Sequence, residues 1–188
     1  MPEQLTVVMA QLNLLVGDIQ GNTDKLIAAA RRARDELAAD IIAFPELALT
    51  SYPPEDLLLR PSLKGRIERA LQRILDADLD IHMIVGHPLH EGGRLYNALS
   101  VLHRRNVLTT YRKQCLPNYQ VFDERRYFTP GSSPCVLAIK GVQVGLTICE
   151  DMWEEGPSGQ VAEAGAQLLI NINSSSKGNS PARLITPE

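Results

Sequence analysis

Residues 40–46 read Asp-Ile-Ile-Ala-Phe-Pro-Glu, and this short stretch decides the fold. Its apolar core is too short for a helix and is rich in β-branched side chains, so it fits a buried strand. Pro45 cannot donate to a ladder and ends that strand. Glu46 is left just beyond its carboxyl end. On the amino side, residues 22–39 carry Leu26, Ala30, Ala33 and Leu37 at helical spacing, with Asn22 or Thr23 as the cap. Before that helix, residues 5–10 (LTVVMA) read as another buried strand. On the carboxyl side, Ser62 is placed to cap a helix whose Ile67, Leu71, Ile74 and Leu75 share a face. Residues 81–86 (IHMIVG) then form a third strand.

The pattern changes further along. Residues 96–102 and 107–112 predict a hairpin around Arg104, Arg105 and Asn106. Residues 136–139 and 142–148 predict a second one across Lys140 and Gly141. A short helix at 159–164 leads to a last strand at 167–172. The order β-α-β-α-β followed by hairpins predicts an α/β layered fold with a mixed sheet and helices outside. No internal repeat is visible, and Ser174, Ser175 and Ser176 form the one low-complexity stretch.

Composition narrows the function. The 188 residues are 44% hydrophobic and 22% charged, as in an ordinary globular domain. A formal net charge of −3, with both signs interleaved, does not suit a phosphate backbone, so no nucleic-acid partner is expected. No stretch approaches the ~20 apolar residues of a membrane span, and the first residues carry no basic, apolar signal pattern. The three cysteines are widely spaced and include no Cys-x-x-Cys pair. That predicts reduced thiols and a cytoplasmic location.

Glu46, Lys113 and Cys149 each end a strand, where α/β folds place reactive groups. Taken singly, each has a plainer reading: a solvated loop acid, a surface charge, a small core residue. Together they make a coherent reaction. A cysteine thiol, with a pKa near ~8.5, needs a base or a lowered pKa to attack. Glu46 is the candidate base. Lys113 would favour the thiolate and hold an oxyanion, joined by the backbone N–H of Glu150. Such a set performs acyl transfer on an amide or nitrile without a metal.

Other constellations are weaker. His82, His87, His90 and His103 show no metal-ligand spacing, and no metal site is expected. No phosphate-cradling glycine loop occurs. Cys115 and Cys135 read as structural.

The sequence around the three residues resembles the nitrilase superfamily, in the blocks FPELALTSYPPEDLLLRPS (44–62), YRKQCLPNYQVFDERRYFTPG (111–131) and GLTICEDMW (145–153). Its YPPEDLLL, LPNY and CEDMW runs are similar to the glutaminase domain of glutamine-dependent NAD⁺ synthetases. The resemblance implies an α-β-β-α sandwich with a Glu46, Lys113, Cys149 triad supported by Glu124. It implies Tyr119, and by a looser match Ser175, as substrate-binding residues. It further implies glutamine as substrate and no cofactor in this domain. ATP and Mg²⁺ would serve a C-terminal synthetase domain that is absent here, and homo-oligomers are common in the superfamily. Residues 1–175 would be the glutaminase domain, lacking its last strands, and 176–188 a tail unlike the family. A stand-alone amidase for another small amide, and an inactive fragment, are the competing readings.

Overall fold

The computed structural model describes residues 4–118 and 123–174. Strand β2 (Ile41–Ala43) is buried along its whole length because parallel neighbours flank it, β1 (Val7–Met9) and β3 (His82–Glu91). Helix α1 (Ile19–Leu37) makes the connection from β1, and α2 (Leu63–Asp76) the connection to β3. Strands β4 (Arg94–His103) and β5 (Asn106–Arg112) extend the sheet antiparallel, in the order β1-β2-β3-β4-β5. A separate sheet, β6-β7-β8, holds β6 (Cys135–Ile139), β7 (Val142–Ile148) and β8 (Leu168–Ile172). Helix α3 (Glu155–Glu163) connects β7 to its parallel neighbour β8.

Side-chain alternation then sorts the layers. Ile42, Phe44, Met83, Val85 and Leu102 face α1 and α2, meeting Leu26, Ala30, Ala33, Ile67 and Ile74. Ile41, Ala43, Ile84, Leu99, Val101 and Tyr111 face the other way. There they pack on Val144, Leu146, Ile148, Ile170 and Ile172 of the second sheet. Outside that sheet lies α3: a Cβ at Gly145 would clash with Val161 and Ala166, so only glycine lets the helix approach so closely. The result is an α-β-β-α sandwich. At the pole away from Glu46, an ion pair between Lys140 and Asp40 links the β6–β7 turn to the first sheet.

Several sequence expectations shift. The cap of α1 is Asp18, whose Oδ1 accepts from the Gly21 N–H at 3.0 Å. Asn22 and Thr23 are buried inside the helix instead. Asn22 Nδ2 donates to Leu15 O at 2.8 Å and to Leu49 O at 3.1 Å, pinning the loop that carries Glu46. β1 is not fully buried, since it is the sheet edge and Met9 is 59% exposed. Ser62 sits at the start of α2 without a side-chain cap bond. β3 runs on to Glu91 through Gly86 and Pro88, which read as breakers. Its ten-residue ladder with β4 overrides them, while β2 flanks only residues 82–84. α3 begins at Glu155 because Pro157 falls in its first turn, where the missing N–H has no helical partner to lose.

Candidate active site

Three strand ends converge on the seam between the sheets. Glu46 follows Phe44 past β2, Lys113 comes directly after β5, and Cys149 comes directly after β7. Lys113 continues the inward-facing series set by Tyr111, and its N–H donates to Asn97 O at 2.8 Å. Its carbonyl accepts from Gly131 N–H at 2.7 Å, so the backbone is held on both sides. Glu46 lies against Gly86, where an added Cβ would stand 2.6 Å from Leu47 N and 3.0 Å from Glu46 Cα. That glycine lets the loop settle directly on the sheet.

The side chains form one buried polar cluster. Lys113 Nζ donates to Glu46 Oε1 at 2.7 Å and to Glu124 Oε1 and Oε2 at 2.9 and 3.0 Å. Lys113, Glu46 and Glu124 are 0%, 2% and 5% exposed, so all three are withdrawn from solvent. Burial works against the ammonium, but Glu46 and Glu124 outweigh it and hold Lys113 above the ordinary lysine range. Burial, and next the Glu46 carboxylate, push Glu124 up to about 7. Lys113 and Asn97 pull it the other way. The Tyr52 hydroxyl donates to Glu124 Oε1 at 3.2 Å.

Cys149 has φ = 48°, a left-handed conformation that is rare for a residue with a side chain. Strain of this kind concentrates at functional sites. Burial, then Glu46, pushes its thiol up to about 12, while Lys113 pulls it down. Lys113 favours the thiolate, as the sequence predicts, but burial and the neighbouring carboxylates outweigh it and hold the thiol above its ordinary range. A base must take its proton during attack. Cys149 opens the 3₁₀ turn Cys149–Met152, and Glu150 is its second residue.

The structure also adds residues that sequence reading missed. Asn97 Nδ2 donates to Glu46 Oε1 at 2.8 Å and to Glu124 Oε2 at 3.4 Å, so one amide tethers both carboxylates. It sits in the apolar run of β4, and only the register opposite Lys113 reveals it. Ser174 Oγ donates to Glu46 Oε2 at 3.2 Å, and Glu46 N–H donates to Asn173 O at 3.3 Å. Tyr119 and Ser175, expected at the substrate, lie outside the described residues. Cys115 and Cys135 are free thiols, raised by burial, to about 11 for Cys115. Among the described residues no group of three or more His, Cys, Asp or Glu is placed to hold a metal ion, and no helix is long and apolar enough to cross a membrane.

Glu124 gives a prediction with a definite sign. Its folded pKa of about 7 lies above the ordinary 4.5, so the folded protein binds the extra proton. The stability this contributes is full below pH 4.5 and is lost as pH rises through 7. Glu124→Gln removes that loss. The melting temperature of the variant minus that of wild type should therefore climb across this window, as a pH series of thermal melts will show.

Comparison with known proteins agrees with the geometry. Residues 6–185 match the family model described as carbon-nitrogen hydrolase. A glutamine-dependent NAD(+) synthetase of Xanthomonas campestris is 50% identical over 173 residues, which are 91% of this chain and 31% of the relative. The structure of a glutamine-dependent NAD⁺ synthetase from Acinetobacter baumannii superposes with a TM-score of 0.88 at 38% identity. The match covers 92% of this chain and 32% of that one. An amidase from Nesterenkonia, with the acetamide moiety of fluoroacetamide added covalently at its active-site cysteine, gives a TM-score of 0.82 at 25% identity. It covers 91% of this chain and 65% of the amidase. The chain thus spans about a third of the length of the synthetases it matches. With the sandwich, the buried Glu-Lys-Glu cluster and a family model matching nearly end to end, the chain belongs to the carbon-nitrogen hydrolase family.

Proposed function

We propose that this chain hydrolyses the side-chain amide of glutamine through a thioester on Cys149. The observation that carries the reading is Lys113, buried between Glu46 and Glu124 at the strand ends beside Cys149. As the Cys149 sulfur attacks the amide carbon, its proton passes to Glu46. The oxyanion that forms is held by Lys113, which has three N–H groups to share, and by the Glu150 backbone N–H. Glu46 returns the proton to the departing nitrogen, the C–N bond breaks and ammonia leaves. Water then attacks the thioester, again giving a proton to Glu46, and glutamate and the free thiol result. Glu124 and Asn97 keep the lysine and the base in place.

Glutamine is preferred because the relatives with the higher identity are glutamine-dependent synthetases. In the parent activity, the ammonia amidates deamido-NAD⁺ on a C-terminal synthetase domain that uses ATP and Mg²⁺. Residues 1–175 are proposed as the glutaminase unit, residues 176–188 as a tail, and the cytoplasm and a homo-oligomer as its setting. Tyr119 and Ser175 are proposed to contact the substrate. The likeness to the Nesterenkonia amidase supports one other reading, a hydrolase of another small amide. Ammonia release from a panel of amides decides between them. Glutamine should be turned over with the highest kcat/KM, and a simple aliphatic amide turned over well above it would overturn the glutaminase assignment.

A further inference from the structure

A second buried carboxylate, Asp151, lies outside the chemistry described so far. It is fully buried, and four donors surround it. Oδ1 accepts from the backbone N–H of Gln114 at 3.0 Å and of Cys115 at 2.7 Å. Oδ2 accepts from the Tyr111 hydroxyl at 2.8 Å and from the Ile148 N–H at 3.2 Å.

Their positions in the chain give the arrangement its meaning. Gln114 and Cys115 directly follow Lys113, and Tyr111 comes two residues before it. Ile148 directly precedes Cys149, and Asp151 closes the same turn two residues after it. One carboxylate therefore grips both sides of the nucleophile and the segment carrying the lysine. These two segments leave different sheets, and among the described residues no backbone ladder joins the sheets. The grip also closes the turn in which Cys149 is held at φ = 48°. It acts beside other ties on the turn, in which Asn171 Nδ2 donates to Cys149 O at 3.4 Å and the Trp153 N–H to Glu150 O at 3.0 Å.

We infer that Asp151 is a positioning residue, which fixes Cys149 relative to Lys113 by clamping the exit of β7 to the exit of β5. The inference rests on the glutaminase reading for its kinetic readout, and its thiol readout is independent of that reading. Asparagine is nearly the same size but offers one acceptor oxygen, and its NH₂ would confront N–H or O–H donors on one side.

The test uses the full chain with Asp151→Asn and Tyr111→Phe. Glutamine kinetics are measured alongside the rate of iodoacetamide alkylation at Cys149, followed by peptide mass with Cys115 and Cys135 as references. Misplacement of a reacting group by about 1 Å lowers turnover on the order of 100-fold. Asp151→Asn should accordingly melt cooperatively and lose kcat on that scale, with KM for glutamine little changed and Cys149 alkylation altered relative to wild type. Tyr111→Phe removes one donor of the four and should lose about tenfold in kcat. A folded Asp151→Asn with wild-type kcat and alkylation overturns the inference. So does a loss of kcat that only tracks the fraction folded, with alkylation unchanged. If Asp151→Asn does not fold, Tyr111→Phe decides by the same criteria. Should wild type fail to hydrolyse glutamine, the glutaminase reading falls, and the alkylation comparison still judges Asp151.

Discussion

Cys149→Ala is expected to abolish glutamine hydrolysis while leaving the sandwich folded. Removing a nucleophile that works with a base typically costs at least about 10⁴-fold in kcat, because the partners cannot act without it. Glu46 and Lys113 would remain paired and buried in the variant, yet with no sulfur no thioester forms. The structural effect should be small, since alanine occupies the same strained turn and only one half-buried sulfur is lost. Melting temperatures within a few degrees of each other, together with ammonia release at the blank rate, are the expected pair of results. Substantial residual hydrolysis by the alanine protein would remove Cys149 from the mechanism.

Lys113→Met should be the more damaging change, because it strikes chemistry and fold together. Methionine fills much of the same space but leaves Glu46 and Glu124 facing each other with no cation between them. Breaking a buried pair in this way typically destabilises by about 3–5 kcal/mol. Loss of an oxyanion donor lowers kcat by about 10²–10³-fold in addition. The two effects separate by pH and by a second substitution. Without the ammonium that pulls it down, Glu124 holds its proton more tightly in the folded state, so the variant should lose stability as pH rises. Adding Glu124→Gln removes one of the opposed charges and should recover part of the stability, measured by thermal melting. It should recover no activity, because the oxyanion donor is still missing. Coupling of this sign in a double-mutant cycle is the signature of a shared charge cluster.

The candidate site was legible in the sequence to the extent that its residues end strands. Glu46, Lys113 and Cys149 each follow an apolar run, and a strand end is visible locally. Glu124 was visible only through the family resemblance, since nothing in its own surroundings marks it. Asn97, Ser174 and Asp151 were invisible for a physical reason. Asn97 lies within a strand that reads as core, and its partners come from sheet register, which a single chain does not display. Ser174 meets Glu46 across 128 positions of sequence. Asp151 looks like a loop acid until the exits of β5 and β7 are brought together.

The fold followed a similar division. Helices and most strands could be read from period, but residue pattern alone could not assign hairpins to sheets. The two hairpins look alike in sequence, yet β4 and β5 extend the first sheet while β6 and β7 belong to a second. The sandwich was supplied by the resemblance. The misplaced cap of α1 has a simple cause: Asn22 and Thr23 are good capping residues, but here they serve as buried ties to Leu15, Leu49 and Ile19.

The proposed function makes Cys149 the nucleophile that attacks glutamine. An electrophilic glutamine analogue, with a halomethyl ketone in place of the side-chain amide, tests it most directly when the adduct is located by peptide mass. A single adduct on Cys149, slowed by added glutamine and absent from Cys115 and Cys135, is the predicted result. An adduct spread over the three cysteines and indifferent to glutamine, or no adduct on Cys149, would contradict it.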